Sequence, residues 1–113
     1  MKYAVLIYAE PNAHEACGQE AFESMFQEYM ALSADPRSVG NGQLHPVESA
    51  TTVRVEDGRT LTTDGPFAET KEVLGGYYII ETDNLDQAIE FASRVPAARI
   101  QGGSVEIRPM VER

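Results

Sequence analysis

The densest run of reactive side chains in the sequence is Thr62-Thr63-Asp64-Gly65-Pro66-Phe67-Ala68-Glu69-Thr70-Lys71-Glu72. Four charged groups fall within nine residues, beside an aromatic ring and a Gly-Pro break. A residue before proline is pushed toward extended backbone, so the loop is locally stiff. A stiff loop that carries carboxylates can position a general acid or base, and Asp64 is the residue best placed for that work. The plainer reading makes Asp64 the acceptor of an Asx turn and leaves Glu69, Lys71 and Glu72 as solvated surface. His45, in Gly42-Gln43-Leu44-His45-Pro46, titrates near neutral pH and can partner Asp64 as acid or base; the alternative is a loop histidine with no task. Tyr8, Arg108 and Glu69 are the candidate ligand-binding residues. Tyr8 ends an apolar run where it can line a cleft or simply fill core. Arg108 can meet an anionic ligand or pair across a sheet. His14 and Cys17 have the spacing of half a metal site, but no second half is visible, so no metal and no cofactor are expected. No phosphate-binding glycine loop, serine elbow or zinc helix is present.

The elements that must position these groups follow from hydrophobic period. Residues 2–8 read as a buried strand, apolar on both faces, followed by a loop over 9–18. Phe22, Met25, Phe26, Tyr29 and Met30 make one apolar stripe of a helix over about 19–33. Asp35-Pro36 and Gly40-Asn41-Gly42 read as a turn region. Residues 51–55 are β-branched and read as a strand, Asp57-Gly58 as a two-residue hairpin turn, and residues 59–63 as the returning arm. Residues 75–81 form a second strand that is apolar on both faces. Asn84 caps a second helix, with Gln87 completing a capping box and Pro96 ending it. Val105 and Ile107 alternate with Glu106 and Arg108 in a last strand.

This order predicts one domain over 1–113, of α+β class: a ferredoxin-like βαββαβ fold with an extra hairpin. In that topology the first and third sheet strands are central, and those are the two that read apolar on both faces. Two helices cover only one face of the sheet. The other face remains apolar and calls for a partner, most simply a second copy packed sheet on sheet. The chain has 113 residues, nine basic against 18 acidic, for a formal charge of −9. Such a surface repels phosphate backbones and anionic membranes, so neither nucleic acid nor membrane is an expected partner. One cysteine allows no internal disulfide, and the first apolar run is too short for a secretory core, so the chain reads as cytoplasmic.

The run Thr63-Asp64-Gly65-Pro66-Phe67-Ala68-Glu69-Thr70-Lys71-Glu72, followed by Leu74-Gly75-Gly76-Tyr77-Tyr78, resembles the signature of the DGPF branch of the YCII-related proteins. Ala50-Thr51-Thr52-Val53-Arg54, Ala88-Ile89-Glu90 and Val105-Glu106-Ile107-Arg108-Pro109 extend the resemblance over nearly the whole chain. The resemblance implies a ferredoxin-like fold pairing as a dimeric α+β barrel, in a bacterial protein often encoded beside a sigma factor of the extracytoplasmic-function type. It also implies a histidine on the first helix paired with an aspartate near the cleft, one branch of the wider family being a dehydrochlorinase. This sequence has no histidine on that helix, which leaves Asp64, with His45 as a substitute. Two functions follow. One is a non-catalytic homodimer that binds a small molecule or serves regulation, with a functional link to a sigma factor as one such role; the other is a small-molecule lyase or hydrolase using Asp64 and His45.

Overall fold

The computed structural model describes residues 1–113. Its main sheet is built from β1 (Lys2–Ala9), β2 (Ser38–Gln43), β5 (Val73–Glu81) and β6 (Gly103–Pro109), in the lateral order β2-β5-β1-β6. All three pairings are antiparallel. Helix α1 (Gln19–Ser33) connects β1 to β2, and α2 (Leu85–Ser93) connects β5 to β6. This is the α+β, ferredoxin-like arrangement, with β1 and β5 at the centre as their two-sided apolar pattern requires.

The pleat sorts the central strands. Tyr3, Val5 and Ile7 of β1 and Tyr78 and Ile80 of β5 are buried beneath the helices, with Leu32, Ala88, Phe91 and Val95. Ala4, Leu6, Tyr8, Tyr77 and Ile79 point to the opposite face, which no helix covers, and are only half-buried. Helix α1 is fastened through its backbone as well as its core stripe: the Tyr78 hydroxyl donates to the Tyr29 carbonyl at 2.8 Å. Helix α2 starts on an Asn84 cap, with Gln87 reaching back one residue past it. The Asn84 side chain accepts from the Gln87 amide, and the Gln87 side chain accepts from the Asp83 amide, both at 3.0 Å.

Two sequence expectations need correction. The second strand of the sheet is not the Thr-rich run but Ser38–Gln43, in the segment that reads as a turn. Glycines suit this edge strand because Tyr77 lies across it: a Cβ on Gly42 would fall 2.8 Å from the Tyr77 ring. The Thr-rich run is β3 (Thr51–Glu56), which pairs only with β4 (Arg59–Asp64) in a separate two-stranded ribbon. The ribbon's turn is as expected, with positive φ at both Asp57 (51°) and Gly58 (75°).

A charged cluster fastens the two connections together. Asp35 accepts three hydrogen bonds from Arg37: from the backbone amide at 2.8 Å, Nε at 3.0 Å and Nη2 at 2.8 Å. The same guanidinium reaches Glu90 on α2 at 2.8 Å and lies 5.3 Å from the centroid of the Phe91 ring. The side-chain hydrogen bonds from Arg37 hold the Asp35 carboxyl down at about 2, against an ordinary 3.8. A carboxyl lowered by folding contributes stability that is present above the ordinary value and is lost as pH falls through the folded one. Asp35→Asn keeps the shape but removes the charge. It should cost about 1 kcal/mol at pH 7, the difference between charged and neutral hydrogen bonds, and should flatten the loss of stability between pH 4 and pH 2 in urea titrations.

Candidate functional site

Two helices on a four-stranded sheet leave space beside α1, where the sheet ends in loops. A cleft of about 620 Å³ lies there, a volume typical of small-molecule sites. Its walls come from α1 (Phe22, Phe26, Tyr29), from the helix-facing side of the sheet (Ile7, Asn41, Tyr78), and from the loops over 9–15 and 44–48. Phe22, Phe26 and Met30 share one face of α1 at four-residue spacing, and all three remain exposed, so this face of the cleft is open and apolar. No helix of the protein is long and apolar enough to cross a membrane, so a membrane-spanning helix does not account for that exposure.

One polar contact crosses the cleft wall. His14 sits just before the short 3₁₀ turn Glu15–Cys17, and its Nε2 lies 2.7 Å from the Tyr29 hydroxyl. The rings are tilted at 50° with centroids 5.6 Å apart. Burial pushes the Tyr29 phenol up to about 12, so it keeps its proton at any physiological pH. Burial also pulls the His14 imidazole below its ordinary value, against the opposing pull of the Glu15 carboxylate. At neutral pH the pair is therefore an uncharged imidazole against an uncharged phenol. It can orient a ligand by hydrogen bonding without presenting a charge.

The expected site residues are dispersed. His45 is exposed on the rim of the cleft. Tyr8 and Arg108 lie on the face of the sheet away from the helices, where the Tyr8 hydroxyl approaches Glu106 at 3.4 Å and Arg108 stands opposite Ala4. Asp64 is exposed at the end of β4, opposite Thr51, and Glu69 is exposed in the following loop; neither lines the cleft. The start of that loop is closed by other groups. The Gly65 amide donates to the Ala50 carbonyl at 2.7 Å, and the Thr52 hydroxyl donates to the Gly65 carbonyl at 2.8 Å. Gly65 adopts φ of +99°, a conformation that disfavours any side chain. The end of the loop is held at Lys71, 3.4 Å from Glu10, and at Glu72, which accepts from the Ser104 hydroxyl at 2.6 Å.

Sequence reasoning missed the His14–Tyr29 pair. Tyr29 reads as one more member of an apolar stripe, and His14 as half of a metal site. The available signal was a lone hydroxyl within a Phe/Met stripe, since a tyrosine buried there needs a polar partner. Cys17 is exposed, and its thiol lies 3.5 Å from the Ala13 carbonyl.

A histidine lowered by burial makes the protein lose stability as pH falls from the ordinary 6.5 toward the folded value, because only the unfolded chain takes up the proton. In proton NMR titrations the His14 ring should titrate below 6.5. Glu15→Gln should lower it further by removing the carboxylate that favours the charged form, and a rise would contradict the assignment. Tyr29→Phe should cost about 1 kcal/mol of stability, as expected for one partly buried hydrogen bond.

Residues 1–112 match the family described as YCII-related domain. An uncharacterized protein of Rhizobium meliloti (strain 1021) is 37% identical over 114 residues, spanning 97% of this chain and 92% of its own length. A match running from β1 through β6 covers both helices and every wall of the cleft, and on it the chain belongs to the YCII-related family.

Proposed function

We propose that this protein is a non-catalytic, small-molecule-binding homodimer of the cytoplasm, within the DGPF branch of its family. The observation that carries the reading is the cleft beside α1, which has apolar walls and one uncharged polar pair, His14 and Tyr29, bridging its side. Pockets of this make-up bind ligands by burying apolar surface and use few polar groups for orientation. The branch assignment rests on the Asp64-Gly65-Pro66-Phe67 motif and the residues that follow it.

Pairing is supported by what one copy leaves uncovered. The sheet face bearing Leu6, Tyr77 and Ile79 has no helix against it. The β3–β4 ribbon projects with Val53 and Val55 more than half exposed, at 59% and 67%. A lone two-stranded hairpin is marginal in water, and an ordered one gains from a neighbour. The radius of gyration is 15.8 Å, against about 13 Å for a compact chain of this length. A dimeric α+β barrel covers the sheet faces by packing one against the other.

The enzymatic alternative is a lyase or hydrolase with Asp64 and His45 as acid and base. In one copy Asp64 does not reach the cleft that His45 borders, so this chemistry requires a second copy to bring it there.

Light scattering at micromolar concentration should give twice the chain mass, and Leu6→Arg should reduce it to the monomer by placing a charge on the apolar sheet face. A monomer mass for the unaltered protein refutes the pairing. Asn41→Trp should fill the cleft, and metabolite fractions that raise the melting temperature of the unaltered protein should lose that effect with this variant. Asp64→Asn should leave such binding unchanged; loss of a turnover activity in this variant, with pairing intact, would favour the enzyme instead.

A further inference from the structure

We propose that the cleft beside α1 selects organic cations, protonated amines on an apolar or aromatic body, over anions of the same shape. This rests on the reading of the cleft as a ligand site and names the chemistry it takes. The charged side chains on its walls are all carboxylates: Glu10, Glu15 and Glu48. None of the chain's nine lysines and arginines lines it.

The carboxylates are not equivalent. Glu10 has a cationic neighbour, Lys71, at 3.4 Å, and its charge is partly offset. Glu15 and Glu48 take part in no ion pair within the chain. Glu15 adjoins His14 in the chain, and its carboxylate acts on that imidazole against the effect of burial. His14 does not counter that charge, because burial favours its neutral form. The adjoining wall is aromatic, with Phe22, Phe26 and Tyr29 on one side of α1. Aromatic faces attract cations and offer nothing to an anion. A low-dielectric wall beside charges of one sign also focuses their potential into the opening. An ammonium group is attracted by both features, whereas a carboxylate or phosphate meets like charge at the rim and no donor cation inside.

The test is an NMR titration of the full-length protein with three probes of one skeleton: 2-phenylethylamine, 2-phenylethanol and phenylacetate. All are run at one pH and one ionic strength. The amine should bind about fivefold more tightly than the alcohol, the ratio that about 1 kcal/mol of attraction gives, shared between the aromatic wall and the carboxylates. Phenylacetate should bind most weakly. In the Glu15→Gln/Glu48→Gln double variant the amine and the alcohol should draw together; both positions are exposed, and the amide spectrum verifies that the variant is folded. Asn41→Trp should abolish the shifts at His14 and Tyr29 for every probe. Phenylacetate binding as tightly as the amine overturns the proposal. So does a preference that the double variant leaves undiminished, because Glu15 and Glu48 would then play no part in it. In both cases, shifts that Asn41→Trp blocks leave the cleft standing as a ligand site. Absence of shifts at His14 and Tyr29 with all three probes, or shifts that survive Asn41→Trp, removes the cleft reading and the proposal together.

Discussion

The rest of the molecule depends on how β1 and β5 bury their two faces. Both strands carry large apolar side chains at successive positions, so the pleat sends Tyr3, Val5, Ile7, Tyr78 and Ile80 one way and Leu6, Tyr8, Tyr77 and Ile79 the other. Two helices are all the topology supplies, and both lie on the first side. That side becomes the core, with Val5, Ile80, Phe91 and Val95 fully enclosed. Burying a side chain of this size contributes about 1.5–3 kcal/mol, against about 0.5–1.5 kcal/mol for a typical neutral hydrogen bond. The second side keeps its apolar surface and its demand for cover.

The same geometry makes the cleft. Helix α1 turns toward the core with Met25 and Leu32 while Phe22, Phe26 and Met30 remain outside. Tyr29 lies between these two sets. Its carbonyl accepts from the Tyr78 hydroxyl and from the Ser33 hydroxyl, the latter at 3.1 Å, and its own hydroxyl meets His14. One residue thereby ties the helix to the central strand and supplies the cleft's polar feature. The two roles are linked physically: the burial that fixes the backbone of Tyr29 also keeps its phenol, and the histidine beside it, uncharged.

The signature loop is held at both ends by groups other than its most conspicuous acid. Gly65 supplies the positive φ and the first hydrogen bond, and Lys71 and Glu72 fasten the far end to Glu10 and Ser104. Asp64 is left exposed. In a structural account of the motif, Gly65 and the Lys71-Glu72 pair determine the loop's path, and the Asp64 carboxylate remains available to a ligand or a second copy.

The sequence by itself determined the α+β class, both helices, the two central strands, the Asn84 cap and the Asp57-Gly58 turn. Each of these is written in a local period or in a residue whose own backbone preference decides the matter. It did not reveal β2, because Gly40 and Gly42 carry no strand signal of their own; the Tyr77 ring, 35 residues beyond Gly42, makes glycine suitable there. Nor did it place the β3–β4 ribbon outside the sheet, since strand propensity says which residues extend but not which strand they join. The site was least legible of all. His14 and Tyr29 are 15 residues apart, and only the path of the chain into α1 brings imidazole and phenol to 2.7 Å. Asp64 and His45 are closer in type to a known chemistry, yet one copy of the fold sends them to different places, because contact between distant residues is set by packing and not by spacing along the chain.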